Sequence, residues 1–93
     1  MNLVFIYGKI IEEIKFDFII NNKHVSIARF KLELSSGSVV QVIAYDEMAD
    51  TCYQFLQQGM QIFIEGKLNS RMEIEMVADG FGFFSCLNLS NML

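Results

Sequence analysis

Apolar and polar residues alternate along most of this chain, which is the pattern of β-strands that bury one face. Turn residues such as Asn21-Asn22 and Ser35-Ser36-Gly37 separate the alternating stretches. The pattern predicts five strands, at 3–20 with an interruption at Glu12-Glu13, 24–34, 39–45, 60–71 and about 72–79. The last two strands adjoin each other, so their link is expected to be very tight.

Helical spacing replaces this alternation after the third strand. Apolar residues between 49 and 56 recur at the intervals of one helix face. Asp46 is the predicted N-cap, because its short carboxylate can accept hydrogen bonds from the first turn. Gly59 is the predicted capping glycine at the other end. The sequence therefore predicts one helix, placed between the third and fourth strands.

Two glycines lie in the middle of predicted strands, Gly8 in the first and Gly66 in the fourth. A glycine inside a strand weakens it, so it usually marks a bend or a close approach of another backbone. Two such positions in one small domain favour a strongly coiled barrel. The order of three strands, one helix and two strands is that of the OB-fold. The predicted fold class is all-β with one helix, a five-stranded Greek-key OB-fold barrel.

The alternation also assigns side chains to the inside or the outside of the barrel. It places Ile43 and Tyr45 of the third strand outside. It places Leu68 of the fourth strand and Met72 of the fifth inside, and Glu73 outside.

Length and composition indicate one domain, with 53% hydrophobic residues in 93. We expect an OB-fold domain over 1–84 and an apolar C-terminal tail over 85–93. No apolar run approaches the roughly 20 residues of a membrane span, and the first residues lack the pattern of a signal peptide. Cys52 and Cys86 stand far apart, so we expect no disulfide and a buried Cys52 thiol. An intracellular protein, of the cytoplasm or an organelle stroma such as that of a plastid, is expected.

The residues with catalytic potential have simpler interpretations. His24 stands alone beside a turn, and the pairs Glu12-Glu13 and Asp46-Glu47 are explained by a turn and a helix start. No nucleophile, metal-ligand spacing or cofactor motif accompanies them, so we expect no enzyme, no metal and no cofactor. The net charge of −4 argues against a strong non-specific nucleic-acid binder, although charge distribution matters more than the sum.

Several segments of this chain, in the same order along the sequence, resemble segments of the bacterial and organellar single-stranded DNA-binding protein family. Together they cover roughly residues 1–84. The matching stretches are Asn2–Ile10, Val25–Leu32, Val42–Asp50, Tyr53–Gly59, Ile62–Leu68 and Met76–Asp79. In size the chain is similar to primosomal replication protein N, a dimeric relative. The departures are Val39 and Glu73 where the family commonly has tryptophan, a missing long loop between the last two strands, and no acidic tail.

The resemblance implies a site that stacks bases on aromatic rings and holds phosphates with cations. The candidate stacking residues are Tyr45 and Phe63. The candidate phosphate contacts are Lys9, Arg29, Lys31, Lys67 and Arg71. The alternatives are a solvated strand face for the cations and a subunit contact for the aromatics.

Self-association is the second implication of the resemblance. Phe5 and Tyr7 on the first strand fit the interface of a homodimer or homotetramer; alternatively, the segment 81–93 folds over them. Two functions remain open. One is binding of single-stranded DNA, or of RNA, in replication, recombination or repair; the other is that of an OB-fold protein-interaction subunit of a larger complex, such as one in a plastid. A continuous basic stripe past Tyr45 would favour the first, and a groove broken by Glu65, Glu73 and Glu75 the second.

Overall fold

The computed structural model describes residues 3–18 and 26–77, which form six strands and one helix. The strands are β1 (Leu3–Ile10), β2 (Lys15–Phe18), β3 (Ser26–Glu33), β4 (Val39–Tyr45), β5 (Gln61–Leu68) and β6 (Ile74–Met76), and the helix is α1 (Asp46–Phe55). The predicted first strand is thus divided into β1 and β2, with the break at the predicted interruption. Residues 78–93, including the predicted tail 85–93, and His24 lie outside the described residues, so the proposed domain boundaries stay predictions.

Strand pairing closes a five-membered ring. β1 pairs with β5, β5 with β6, β4 with β3, and β3 with β1, all antiparallel, while β6 pairs with β4 in parallel. β2 extends the sheet along the first half of β3. The helix follows β4, which is the third strand when β1 and β2 are counted as one. The predicted OB-fold class is confirmed.

The two mid-strand glycines lie where backbones come very close. A Cβ atom at Gly8 would stand 2.8 Å from the carbonyl oxygen of Glu33. A Cβ atom at Gly66 would overlap the carbonyl oxygen of Glu75 and crowd Ile74. Both glycines therefore permit the tight coiling that closes the barrel, as predicted.

The core lies inside the ring, and α1 covers one end of it. Ile10, Phe30 and Ile62 are fully buried, and the helix adds Ala49 and Cys52. Cys52 is a buried free cysteine, as predicted, and burial raises the pKa of its thiol to about 12.

The predicted helix ends were both wrong. The cap position is Tyr45, in extended conformation, and its side chain makes no capping hydrogen bond to the helix. Asp46 is already helical by hydrogen bonding and has a φ of 54°. The helix stops at Phe55, and Gly59 (φ 96°) instead forms the following turn, where its N–H donates to the Ile10 carbonyl at 2.7 Å.

The predicted strand continuity beyond residue 68 was also wrong. Residues 69–73 form a loop, and Met72 within it has a left-handed φ of 64°. Met72, predicted inside, is 72% exposed, whereas Glu73 lies on the outer face as predicted but is buried there against Arg29. Leu68, predicted inside, is exposed because β5 ends there.

Ile43 faces outward as predicted but is only 1% exposed. Its neighbours in register are Arg29 on β3 and Glu75 on β6, whose long side chains flank it on the outer face. Within residues 3–18 and 26–77, no helix is long and apolar enough to span a membrane.

Candidate nucleic-acid interface

An open cleft of about 370 Å³ lies on the outer face where β3, β4, β6 and the 69–73 loop meet. We call it the Tyr45 cleft. Strand register explains its composition, since Tyr45 lies opposite Ile27, and Ile43 lies between Arg29 and Glu75. The lining residues are Ile27, Arg29, Tyr45, Asn69, Ser70, Arg71, Glu73 and Glu75.

Arg29 and Glu73 form an ion pair on the wall of the cleft. The Arg29 Nε atom lies 3.6 Å from Oε2 of Glu73, with side chains 32% and 11% exposed. A pair this far from water resists screening, but its charges have lost much of their hydration. A phosphate that approaches Arg29 must therefore compete with a carboxylate already in place.

Asn69 holds the acidic wall of the cleft. Its Oδ1 accepts hydrogen bonds from the backbone N–H groups of Arg71 and Glu73, both at 2.9 Å. Its Nδ2 donates to Oε1 of Glu73 at 3.1 Å and to Oε2 of Glu75 at 3.2 Å. This use of an asparagine side chain to organise a turn fixes both carboxylates at once.

The charges of the cleft act on the Tyr45 phenol. Burial raises the pKa of Tyr45 above its ordinary value, and the carboxylates of Glu75 and Glu73 raise it further. Arg29 and Arg71 lower the pKa by less. Tyr45 therefore stays a neutral ring near neutral pH, in a surrounding where negative potential outweighs positive.

The cleft brings together three of the predicted contact residues, Arg29, Tyr45 and Arg71. Lys67 lies opposite Glu75 on the neighbouring strand. Lys31 lies on the same face of β3 as Arg29, opposite Gln41. These two lysines flank the cleft without lining it.

Lys9 and Phe63 lie elsewhere. Lys9 lines a different cavity, together with Glu33 and Gln61. The Phe63 ring lies 5.8 Å from that of Phe5, and in register it stands opposite Tyr7.

The half-buried Phe63 therefore joins the two predicted interface residues, which are exposed, in an apolar patch. We call this surface the β1–β5 patch; its members are Leu3, Phe5, Tyr7 and Phe63. Phe5 is 62% and Tyr7 51% exposed. The Tyr7 hydroxyl donates to Oε1 of Gln61 at 2.9 Å, so its polar end is satisfied while its ring remains accessible.

One row of side chains crosses the outer face from β5 to β2. In register it reads Lys67, Glu75, Ile43, Arg29 and Lys15. Glu75 thus interrupts this row of cations, so the row is not the continuous basic stripe that would favour the first of the two functions. Glu73 neutralises Arg29 beside it.

Sequence analysis missed two contributors to this surface, Lys15 and Asn69. Lys15 extends the row, although it also pairs with Glu12 at 3.8 Å. Asn69 falls within the predicted fourth strand, whereas the structure places it in a loop that it organises. A turn-forming asparagine followed by a polar run was the available signal for the loop. Among the described residues, no group of three or more His, Cys, Asp or Glu could hold a metal ion.

No family profile and no curated protein matches this sequence. Solved structures do match. The SSB domain of a Synechococcus protein superposes with a TM-score of 0.73 at 17% identity, covering 84% of this chain and 92% of that one. The small single-stranded DNA-binding protein of Streptomyces coelicolor gives 0.67 at 19%, covering 84% and 89%.

The single-stranded DNA-binding protein of Thermus aquaticus gives a TM-score of 0.72 at 20% identity. The match covers 84% of this chain but 38% of that protein, so the present chain spans well under half its length. At these identities the likeness establishes the fold. The chain therefore has the OB-fold of single-stranded DNA-binding proteins, as the sequence resemblance predicted.

Proposed function

We propose that this chain binds single-stranded nucleic acid in the Tyr45 cleft, with single-stranded DNA as its ligand. The observation that carries the proposal is the convergence of one aromatic ring and two guanidinium groups, from Tyr45, Arg29 and Arg71, in a single open cleft. Single-strand binders combine aromatic platforms with cations that follow the backbone. Single-stranded RNA presents the same groups and is the second ligand to test.

In this mechanism one base stacks on the Tyr45 ring, and the flanking cations contact its phosphates. Arg71 reaches them from the loop, and Lys31 and Lys67 extend the contacts along the outer face. Stacking contributes about 1–3 kcal/mol per base. Because Glu73 and Glu75 oppose phosphate, we expect moderate affinity that falls steeply with salt.

The proposal extends to a role in DNA replication, recombination or repair, as a homodimer or homotetramer in the cytoplasm or an organelle stroma. The solved proteins of the same fold support single-stranded DNA as the ligand, since those of Thermus aquaticus and Streptomyces coelicolor are named single-stranded DNA-binding proteins. The exposed β1–β5 patch supports self-association through Phe5 and Tyr7, because burial of such a patch removes apolar surface from water.

A second candidate function is that of a protein-interaction subunit in a larger complex. The specific observation that favours it is the carboxylate content of the cleft, where Glu73 pairs with Arg29 and Glu75 breaks the basic row. In that case the β1–β5 patch would contact another protein rather than a second copy of this chain.

Fluorescence anisotropy with a labelled, mixed-sequence single strand of about 20 nucleotides separates the two functions. We expect binding that weakens as salt rises, with a slope set by the number of phosphates contacted. Tyr45→Ala should weaken it by about 1–3 kcal/mol. Tyr53→Ala is the matched control, because Tyr53 is an exposed tyrosine on α1, outside the cleft. A folded protein that binds neither DNA nor RNA at low salt would reject the proposal in favour of the protein-interaction role.

A further inference from the structure

The two carboxylates of the Tyr45 cleft are held differently. Both oxygens of Glu73 are engaged, Oε1 by Asn69 and Oε2 by Arg29. Glu75 receives only one contact, from Asn69 to its Oε2. Among residues 3–18 and 26–77, no hydrogen bond or ion pair reaches its Oε1. Glu73 is thus occupied within the protein, whereas Glu75 keeps an acceptor oxygen for a ligand.

Glu75 is also well placed relative to the stacking ring. It lines the same cleft as Tyr45, and its register partner on β4 is Ile43, two residues before Tyr45 on the same outer face. A base that lies flat on the ring therefore turns one of its polar edges toward this wall. Asn69 fixes the carboxylate in that position.

The chemistry of a carboxylate selects among bases. An ionised carboxylate only accepts hydrogen bonds. Cytosine and adenine carry exocyclic amino groups that donate, and acidic side chains are known to accept from cytosine N4. Thymine presents the O4 acceptor at the equivalent position, so it would leave two acceptors facing each other in a partly buried site.

We propose that the Tyr45 cleft prefers a base with an exocyclic amino group over thymine or uracil, with Glu75 as the specificity-determining acceptor. The inference rests on the proposed function, since it names the kind of base that this cleft binds. It assigns Arg29 and Arg71 to phosphates and Glu75 to the base edge.

The test compares oligomers of dC, dT and dU of equal length, about 12 nucleotides, by anisotropy at pH 8 and one salt concentration. All three are pyrimidines, so ring size is matched, and dU differs from dC by O4 in place of the amino group and by the proton on N3 that accompanies it. We expect dC to bind about five- to tenfold more tightly than dT, since one good base contact discriminates by about that factor or more. The dU oligomer should bind like dT.

Glu75→Gln should remove this preference, because an amide can donate to O4 as well as accept from N4. Binding of dT should strengthen and that of dC should weaken. Glu65→Gln is the matched control: it removes one carboxylate from the outer face of β5, outside the cleft, and should leave the ratio of dC to dT affinity unchanged.

The outcomes separate the inference from the proposed function. Equal affinity for dC, dT and dU, or a dU oligomer that binds as tightly as dC, overturns the base preference while single-strand binding stands. A preference for dC that persists in Glu75→Gln overturns the assignment to Glu75. Failure to bind any of these oligomers or a mixed sequence overturns the proposed function itself. The ligand series alone decides the preference if the variant does not fold.

Discussion

Arg29 is paired with Glu73 at 3.6 Å in the wall of the Tyr45 cleft, so its positive charge is partly neutralised before any ligand arrives. The pair joins β3 to the loop that precedes β6. The Glu73 carboxylate pairs with Arg29 in the way that a bound phosphate would. The affinity of the cleft for nucleic acid therefore depends on this ion pair.

Replacing Glu73 by glutamine should strengthen single-strand binding. Glu73→Gln keeps the shape and the acceptor for Asn69 but releases the Arg29 charge, so one more phosphate can be neutralised. In a salt titration by anisotropy, the plot of log affinity against log salt should steepen by about 0.7. Glu65→Gln, which changes the net charge equally, should not change this slope. Unchanged affinity and slope in Glu73→Gln would mean that Arg29 does not contact phosphate.

Removing the Asn69 side chain should destabilise the loop. Asn69→Ala deletes four hydrogen bonds and leaves the carboxylates of Glu73 and Glu75 without a shared donor. We expect the free energy of unfolding in urea to fall by about 2–3 kcal/mol. Ser70→Ala, at the exposed neighbouring position, should change it by less than about 0.5 kcal/mol. Equal effects of the two substitutions would contradict the role given to Asn69.

A methyl group at Gly66 should disrupt the pairing of β5 with β6. The added Cβ would overlap the Glu75 carbonyl and the Ile74 side chain, and neither can move without opening the barrel. We expect Gly66→Ala to lower the unfolding free energy by about 3 kcal/mol or more. Gly37→Ala meets open space and strains only a left-handed φ of 93°, so it should cost about 1 kcal/mol. A smaller loss at Gly66 than at Gly37 would show that the strands are not this close.

A charge at Phe5 should abolish self-association. Phe5 is the most exposed aromatic of the β1–β5 patch and lies opposite Glu65 in register. Light scattering coupled to size exclusion should report a dimer or tetramer for the wild type and a monomer for Phe5→Glu. Phe18→Glu changes a phenylalanine on β2 that is still more exposed, at 71% against 62% for Phe5, and should keep the wild-type mass. The patch is not the interface if both variants, or neither, dissociate.

The fold followed from the sequence because its signals are periodic and local. Alternation located the strands of the ring, and the mid-strand position of Gly8 and Gly66 indicated backbones too close for a side chain. The buried Cys52 followed from helical spacing in the same way.

The acidic wall of the cleft could not be read from alternation. Residues 69–73 form a loop in which Met72 adopts a left-handed φ, and Glu73 stays on the outer face but is buried there against Arg29. A period of two does not predict such a loop. The pairing of Glu73 with Arg29 joins residues far apart in the chain, so it appears only once the barrel is closed.

The helix ends were misplaced for a related reason. A glycine after a helical pattern commonly caps the helix. The N–H of Gly59 instead donates to the carbonyl of Ile10, so it joins the turn after the helix to the end of β1. Strand register likewise decides which of the predicted contact residues lie in the Tyr45 cleft and which lie in the β1–β5 patch. It places Phe63 opposite Tyr7 and Arg29 opposite Ile43.

The most direct test of the central claim is a titration of the isotope-labelled protein with a short mixed-sequence single strand, followed by ¹H–¹⁵N correlation spectra. We predict that amide shifts concentrate at Tyr45, Arg71 and Glu75, weaken as salt is raised, and require more ligand to appear in Tyr45→Ala. Shifts confined to Phe5, Tyr7 and Phe63, or no shifts at low salt in a folded protein, would contradict the claim that the Tyr45 cleft binds single-stranded nucleic acid.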